Sequence, residues 1–224
     1  KNMTLFSYFK KHFTLVSDDK NIKILKPLSN FFYTPINLCV PVSNNFYYVD
    51  IARNLIISRK IAQKKKDSFL KLTKEDYNKG LDILKKFGIN GKKDWYVTLH
   101  VREGKPSERN SEFFRNANID DYFKAMKLIT DKGGYVFRMG DKGMKPIAKQ
   151  EKVIDYAHHE LKSEFMDVFL AATCRFCIGT ASGFQRVAGY FNVPSILTNT
   201  SHTISFLSFE THDIFLPSLL RDNK

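Results

Sequence analysis

From residue 73 onward the chain alternates between two hydrophobic periods, and that alternation restricts the folds open to it more than any other feature. WYVTLHV (95–101), YVFRM (135–139), KVIDY (152–156), RFCIG (175–179) and PSILT (194–198) are short, rich in β-branched and aromatic residues, and read as strands. Helical stretches separate them. Thr73-Lys-Glu-Asp76 is a capping-box start, Tyr77, Leu81, Ile83 and Leu84 supply an apolar stripe, and Gly88 is the stop. A second helix runs over about 120–132, with Tyr122, Ala125, Met126 and Ile129 facing inward and Gly133 and Gly134 ending it. Ser163 caps EFMDVFLAAT, and GFQRVAGYF forms a last short helix. Parallel strands need crossovers of a dozen or more residues, so this spacing predicts an α/β fold of βα units on a parallel sheet.

Right-handed crossovers and the common doubly wound order, 3-2-1-4-5, make strands one and four neighbours at the point where the connection reverses direction. The crevice there is the expected ligand site. Strand one ends in LHVRE (99–103); alternation puts His100 and Arg102 on one face and Leu99 and Val101 on the other. Strand four runs into GTASG (179–183), a turn of small residues that opens a helix. Such a turn can cap a helix for structural reasons alone, or present backbone amides and the positive end of the dipole to an anion. Arg102 beside it favours the second, because a permanent cation next to a dipole-positive turn calls for an anion between them. Phosphate is the natural candidate. G-x-x-x-x-G-K-[ST] and G-x-G-x-x-G are both absent, which disfavours a P-loop NTPase and a dinucleotide dehydrogenase and leaves a sugar nucleotide. Asp141, after strand two, stands where an acid takes a ribose hydroxyl or a base edge, or where a turn simply uses an Asp.

LHVRE (99–103), RNS (109–111), YVFRMGD (135–141), VIDYAH (153–158), SEFMDVFLAATCRFCIGTASG (163–183) and VPSILTN (193–199) together resemble bacterial glycosyltransferases related to the O-fucosyltransferase superfamily. The resemblance covers about residues 73–200 and implies a GT-B-like architecture. A C-terminal Rossmann-like domain (73–224) would bind the nucleotide sugar, preceded by a smaller, incomplete acceptor-side segment (1–72). It implies that Arg102 holds the diphosphate of a GDP- or UDP-linked sugar with His100 nearby. Thr180, Ser182 and Gly183 would hold phosphate through backbone and hydroxyl groups, Asp141 would contact the nucleoside, and Arg186 is a looser match to a second arginine. The reaction implied is metal-independent displacement at the anomeric carbon, with Arg102 stabilising charge on the leaving diphosphate. Glu103 and Glu112 are the nearest candidates for deprotonating the acceptor hydroxyl, though each reads more readily as an ordinary loop carboxylate. The acceptor would be a glycan, lipid or protein. In GT-B enzymes a C-terminal segment often crosses back to the first domain, one reading of the Phe-rich tail SFLSFETHDIFLP (205–217); plain packing is the other.

The front segment reads irregularly, with Pro27, Pro35 and Pro41 among short apolar runs. It holds 13 Lys and Arg against 4 Asp and Glu, so +9 of the net +13 lies in residues 1–72. RNLIISRKIAQKKK, from Arg53 through Lys66, places apolar residues at helical spacing among cations; it is either a solvated helix face or a contact for an anionic membrane surface or polymer. The charge also admits a non-catalytic anion or nucleic-acid binder, but no interleaved basic and aromatic motif accompanies it, so no nucleic-acid partner is expected. An initial Lys and a tail that closes no element point to an excised segment. Three cysteines argue against a disulfide framework and suggest a cytoplasmic protein. Cys174 and Cys177 read as core thiols pointing to opposite faces of a strand, rather than a zinc or redox pair. His158 and His159, being adjacent, are not expected to share a target, and His12, His202 and His212 have no partner spacing. No run of eighteen apolar residues marks a membrane span.

Overall fold

The structure, a computed structural model, describes residues 2–9, 68–104, 116–180, 182–200 and 213–218, and the backbone alone of 39–42 and 45–48. In chain order its elements are α1 (Met3–Phe9), the antiparallel pair β1 (Cys39–Val42) and β2 (Asn45–Tyr48), α2 (Lys74–Lys86), β3 (Tyr96–His100), α3 (Phe123–Asp131), β4 (Tyr135–Met139), β5 (Val153–Ile154), α4 (Glu164–Thr173), β6 (Cys177–Thr180), α5 (Gly183–Tyr190), β7 (Ser195–Thr200) and β8 (Ile214–Pro217). Six strands form one all-parallel sheet in the order β5-β4-β3-β6-β7-β8, a Rossmann-like α/β arrangement. Counted along the sheet this is the expected 3-2-1-4-5 with a sixth strand added at one edge.

Alternation along the strands builds two cores. Tyr96, Phe137, Met139 and Cys177 face Leu84 of α2, Met166, Phe169 and Leu170 of α4, and Ala188 of α5. Val97, Leu99, Val136 and Ile178 face the other way, onto Met126 and Ile129 of α3 and onto Ile119 and Tyr122 of the short 3₁₀ turn before it. The helix starts behave as their sequences require. Thr73 Oγ1 accepts from the Asp76 amide at 3.0 Å, and Ser163 Oγ accepts from the Met166 amide at 3.2 Å, satisfying donors that have no partner within the helix.

Several expectations need correction. The described part of the tail adds a strand that its sequence did not suggest: Ile214–Pro217 pairs with β7 at the sheet's edge, anchored by the Ser195 amide donating to Asp213 Oδ1 at 2.7 Å. A proline is tolerated there because an edge strand has one row of amides to spare. KVIDY yields only the two-residue β5, since Tyr156–His158 turns into a 3₁₀ helix. Cys174 and Cys177 do not sit on opposite faces of a strand. Cys174 caps α4 and Cys177 opens β6, so strand parity does not apply between them and both enter the same core, where burial raises the Cys174 thiol to about 11 and the Cys177 thiol further. His158 and His159 have separate partners, Asp155 Oδ2 and the Leu161 amide. The basic stretch 53–66, Glu112, RNS (109–111), His12, His202 and His212 lie outside the described residues. Among the described residues no helix is long and apolar enough to cross a membrane.

Helix α2 lies so close to α4 that a Cβ on Gly80 would stand 2.1 Å from two ring carbons of the fully buried Phe169. Gly80→Ala therefore gains about 0.5–1 kcal/mol of helix propensity but forces the ring aside. The expected outcome is a net loss of about 1–3 kcal/mol, read as a lower urea midpoint at unchanged slope.

Candidate functional site

The carboxyl ends of β3 and β6 lie side by side, with His100 paired in register to Gly179, at the point where strand order reverses. Glycine is required at that position. A Cβ on Gly179 would meet the His100 carbonyl oxygen at 2.7 Å, so any side chain would prise the two strands apart where the crevice opens. Beyond the strands, two polar tethers continue the contact. The Arg102 amide donates to Thr180 Oγ1 at 2.9 Å, and the Ser182 hydroxyl shares a 3.1 Å hydrogen bond with His100 Nδ1. The H-x-R segment and the small-residue turn, 78 positions apart in sequence at Arg102 and Thr180, are thereby held edge to edge.

Thr180 is fully buried, so its hydroxyl serves as the bolt between strand ends and does not face the crevice. Ser182 caps α5 without a side-chain bond to the helix, its hydroxyl being turned to His100. Gly183, the first residue of α5, is exposed, and a Cβ there would meet nothing within 4 Å. The first turn of α5 carries no acid, whereas α2 opens with Glu75 and Asp76 and α4 with Glu164 and Asp167. The uncompensated dipole end and the half-buried Arg186 in the same turn give this corner a positive potential.

A cavity of about 280 Å³ lies next to the crevice, against the ends of β3 and β4 and under α4 and α5. Its walls include His100, Met139, Phe184 and Val187; its polar lining consists of His100, Asp141, the Lys162–Asp167 ion pair at 2.9 Å, and Asn2. Leu5 comes from α1 and Asn2 immediately precedes it; this helix is docked on α4 by Asn2 Nδ2 donating to the Glu164 carbonyl and the Met3 amide donating to Glu164 Oε2. The front segment therefore reaches this cavity. Asp141 Oδ1 also accepts from the Gly143 amide at 2.8 Å, closing the turn that carries it. The His100 ring stacks on Phe184, with centroids 5.5 Å apart. Burial, reinforced by the charge on Arg138, pushes its imidazole from 6.5 down to about 4, so it is neutral around pH 7.

Of the residues singled out from sequence, His100 and Asp141 line the cavity, Arg102, Ser182, Gly183 and Arg186 belong to the adjoining crevice and helix start, and Thr180 is buried between the strand ends. Glu103 is placed elsewhere. Its Oε2 accepts from Arg138 Nη2 and from the Lys145 amide, both at 3.0 Å. Sequence reasoning passed over Arg138, although an arginine inside the otherwise apolar strand YVFRM was a visible signal. It also missed Lys162, Asp167 and Phe184, whose convergence depends on helix placement. Among the described residues no three His, Cys, Asp or Glu side chains are grouped to hold a metal ion. Compared with protein-family models, with curated proteins and with solved structures, the chain matches none.

His100 gives the site a pH signature. The unfolded imidazole takes up its proton near pH 6.5 and the folded one only near 4, so between these values the unfolded state binds more protons. Its contribution to stability is complete above that window and falls as pH drops through it, by on the order of 3 kcal/mol. In urea titrations the wild-type chain is expected to lose about that much more stability than His100→Gln between neutral pH and pH 4; parallel curves for the two proteins would contradict it.

Proposed function

We propose that this chain is a glycosyltransferase of GT-B type that takes a GDP- or UDP-linked sugar and transfers the sugar to a hydroxyl on a glycan, lipid or protein. Residues 73–224 would form the donor-side unit and residues 1–72 would contribute to the acceptor side. The observation that carries the reading is the pair of tethers, Arg102 amide to Thr180 and His100 to Ser182, which hold a guanidinium-bearing strand end against an acid-free helix start. Two positive features fixed to one edge suit a diphosphate, and Asp141 and the largely apolar cavity beside them suit the nucleoside that continues from it.

In the reaction, Arg102 and the amides at the start of α5 would stabilise charge growing on the diphosphate as the bond to the anomeric carbon breaks, a stabilisation realised chiefly in the transition state. No metal is required in this scheme. His100, kept neutral, would contribute a hydrogen bond and not a second charge. The basic stretch from Arg53 through Lys66 would add a peripheral contact with an anionic membrane surface, placing the enzyme at the cytoplasmic face.

A thermal-shift series with GDP and UDP tests the proposal. A nucleotide present at a hundred times its Kd adds about 2.7 kcal/mol of stability, which raises the Tm of a domain this size by roughly 5–10 °C. Arg102→Ala is expected to abolish the shift. No shift with any nucleoside diphosphate would count against the reading. Salt-sensitive RNA binding indifferent to Arg102→Ala would turn it toward a nucleic-acid binder.

A further inference from the structure

Arg138 is the largest fully buried side chain among the described residues, and it is charged. It stands on β4, on the face opposite Met139, and its guanidinium joins three loops. Nη2 donates to Glu103 Oε2 at 3.0 Å, after β3, and to the Lys145 carbonyl at 2.9 Å, after β4; Nη1 donates to Asp155 Oδ1 at 3.2 Å, after β5. The carboxylates are themselves bound to backbone. Glu103 Oε2 accepts from the Lys145 amide at 3.0 Å, and Asp155 Oδ2 accepts from the Ile147 amide at 3.2 Å and pairs with His158 Nδ1 at 2.9 Å. Nε of Arg138 is buried without a hydrogen-bond partner.

Stability is a poor account of such a cluster, because taking a cation and two carboxylates out of water roughly cancels their attraction, and an apolar replacement is often no worse. Geometry is a better one. Two of the three loops that Arg138 holds carry a residue of the proposed site close to the clamp: Arg102 immediately precedes Glu103, and Asp141 opens the turn that leads to Lys145, with the Met144 amide bonded to the Asp141 carbonyl. The same charge also helps keep His100 neutral.

We infer that Glu103 and Arg138 are positioning residues, a buried clamp that fixes the strand-end loops bearing Arg102 and Asp141 relative to each other and so sets the spacing between the phosphate and nucleoside ends of the site. The inference rests on the nucleotide-sugar reading. It also reassigns Glu103: a carboxylate bound to a buried guanidinium and a backbone amide anchors its loop instead of taking a proton from an acceptor.

The test compares Glu103→Ala and Glu103→Gln in the full chain by two measurements, hydrogen exchange of the free protein and calorimetric Kd for GDP and UDP well below the melting temperature. Glu103→Ala is expected to speed exchange at the amides of Arg102 and Lys145 while α4 and β7 stay protected, and to weaken nucleotide binding about 10–100-fold. Glu103→Gln keeps an oxygen to accept from Arg138 and Lys145, so it is expected to recover most of both losses. A lower melting temperature for Glu103→Ala with unchanged Kd would reduce the clamp to a structural element and overturn the inference, as would unchanged exchange at Arg102 and Lys145. Failure of the wild-type chain to bind either nucleotide would instead overturn the transferase reading, and the positioning role with it.

Discussion

A missing side chain at position 179 allows β6 to lie against β3, and most of what is interesting in this molecule follows from that contact. Gly179 pairs with His100 at the last step of the β3–β6 ladder, in space that a methyl group would share with the His100 carbonyl oxygen. Because β3 is also paired with β4 on its other side, the chain has to leave β5 and return across the sheet to place β6 there. The reversal opens a crevice at the carboxyl ends, as it does in any doubly wound sheet. Here the crevice is also stitched shut at its base, by Thr180 to the Arg102 amide and by Ser182 to His100. A looser pairing would leave Arg102 and the start of α5 as two unrelated surface features.

Polar groups buried near these strand ends are used in one consistent way. Thr180, Arg138, Glu103 and Asp155 each bind a backbone group in a neighbouring loop as well as, or instead of, another side chain. Such bonds constrain the path of the chain more than side-chain pairs do, since the backbone partner has no rotamer freedom. The apolar layers, by contrast, hold the helices to the sheet without fixing where the loops run. Packing sets the scaffold, and the buried polar bonds set the loop ends.

Much of the scaffold was legible in the sequence because its signals are local. YVFRM matches β4 residue for residue, Ser163 caps α4 where its hydroxyl is needed, and period two along LHVRE assigns Leu99 and Val101 to a core and His100 to the opposite face. The meeting of Arg102 with the 179–183 turn was legible at one remove, through the handedness and order that βα units obey. What stayed hidden depends on distances no local pattern encodes. Arg138 gathers two carboxylates and a backbone carbonyl from three separate loops, and Glu103 reads as a free loop carboxylate until the strand beside it is placed. The Lys162–Asp167 pair lines the cavity only because α4 packs where it does. Edge strand β8 escaped because four residues ending in proline carry almost no periodic signal, and Cys174 was misplaced because a helix end falls inside C-x-x-C.

The neutral His100 bears on why the strand end carries an arginine. His100 at the end of β3 and Arg102 just beyond it are the candidates for meeting an anion, and burial together with Arg138 removes the charge from the first. The diphosphate of a sugar nucleotide is esterified at both ends and keeps its charge through the physiological range, so a histidine titrating beside it would by itself make affinity depend on pH. With His100 held neutral and Arg102 permanently charged, the charges in the crevice stay constant through that range. On the nucleotide-sugar reading this division of labour is economical. Arg102 and the helix start supply the positive potential, and His100 offers a directional hydrogen bond next to a largely apolar cavity whose size and lining can discriminate between nucleosides.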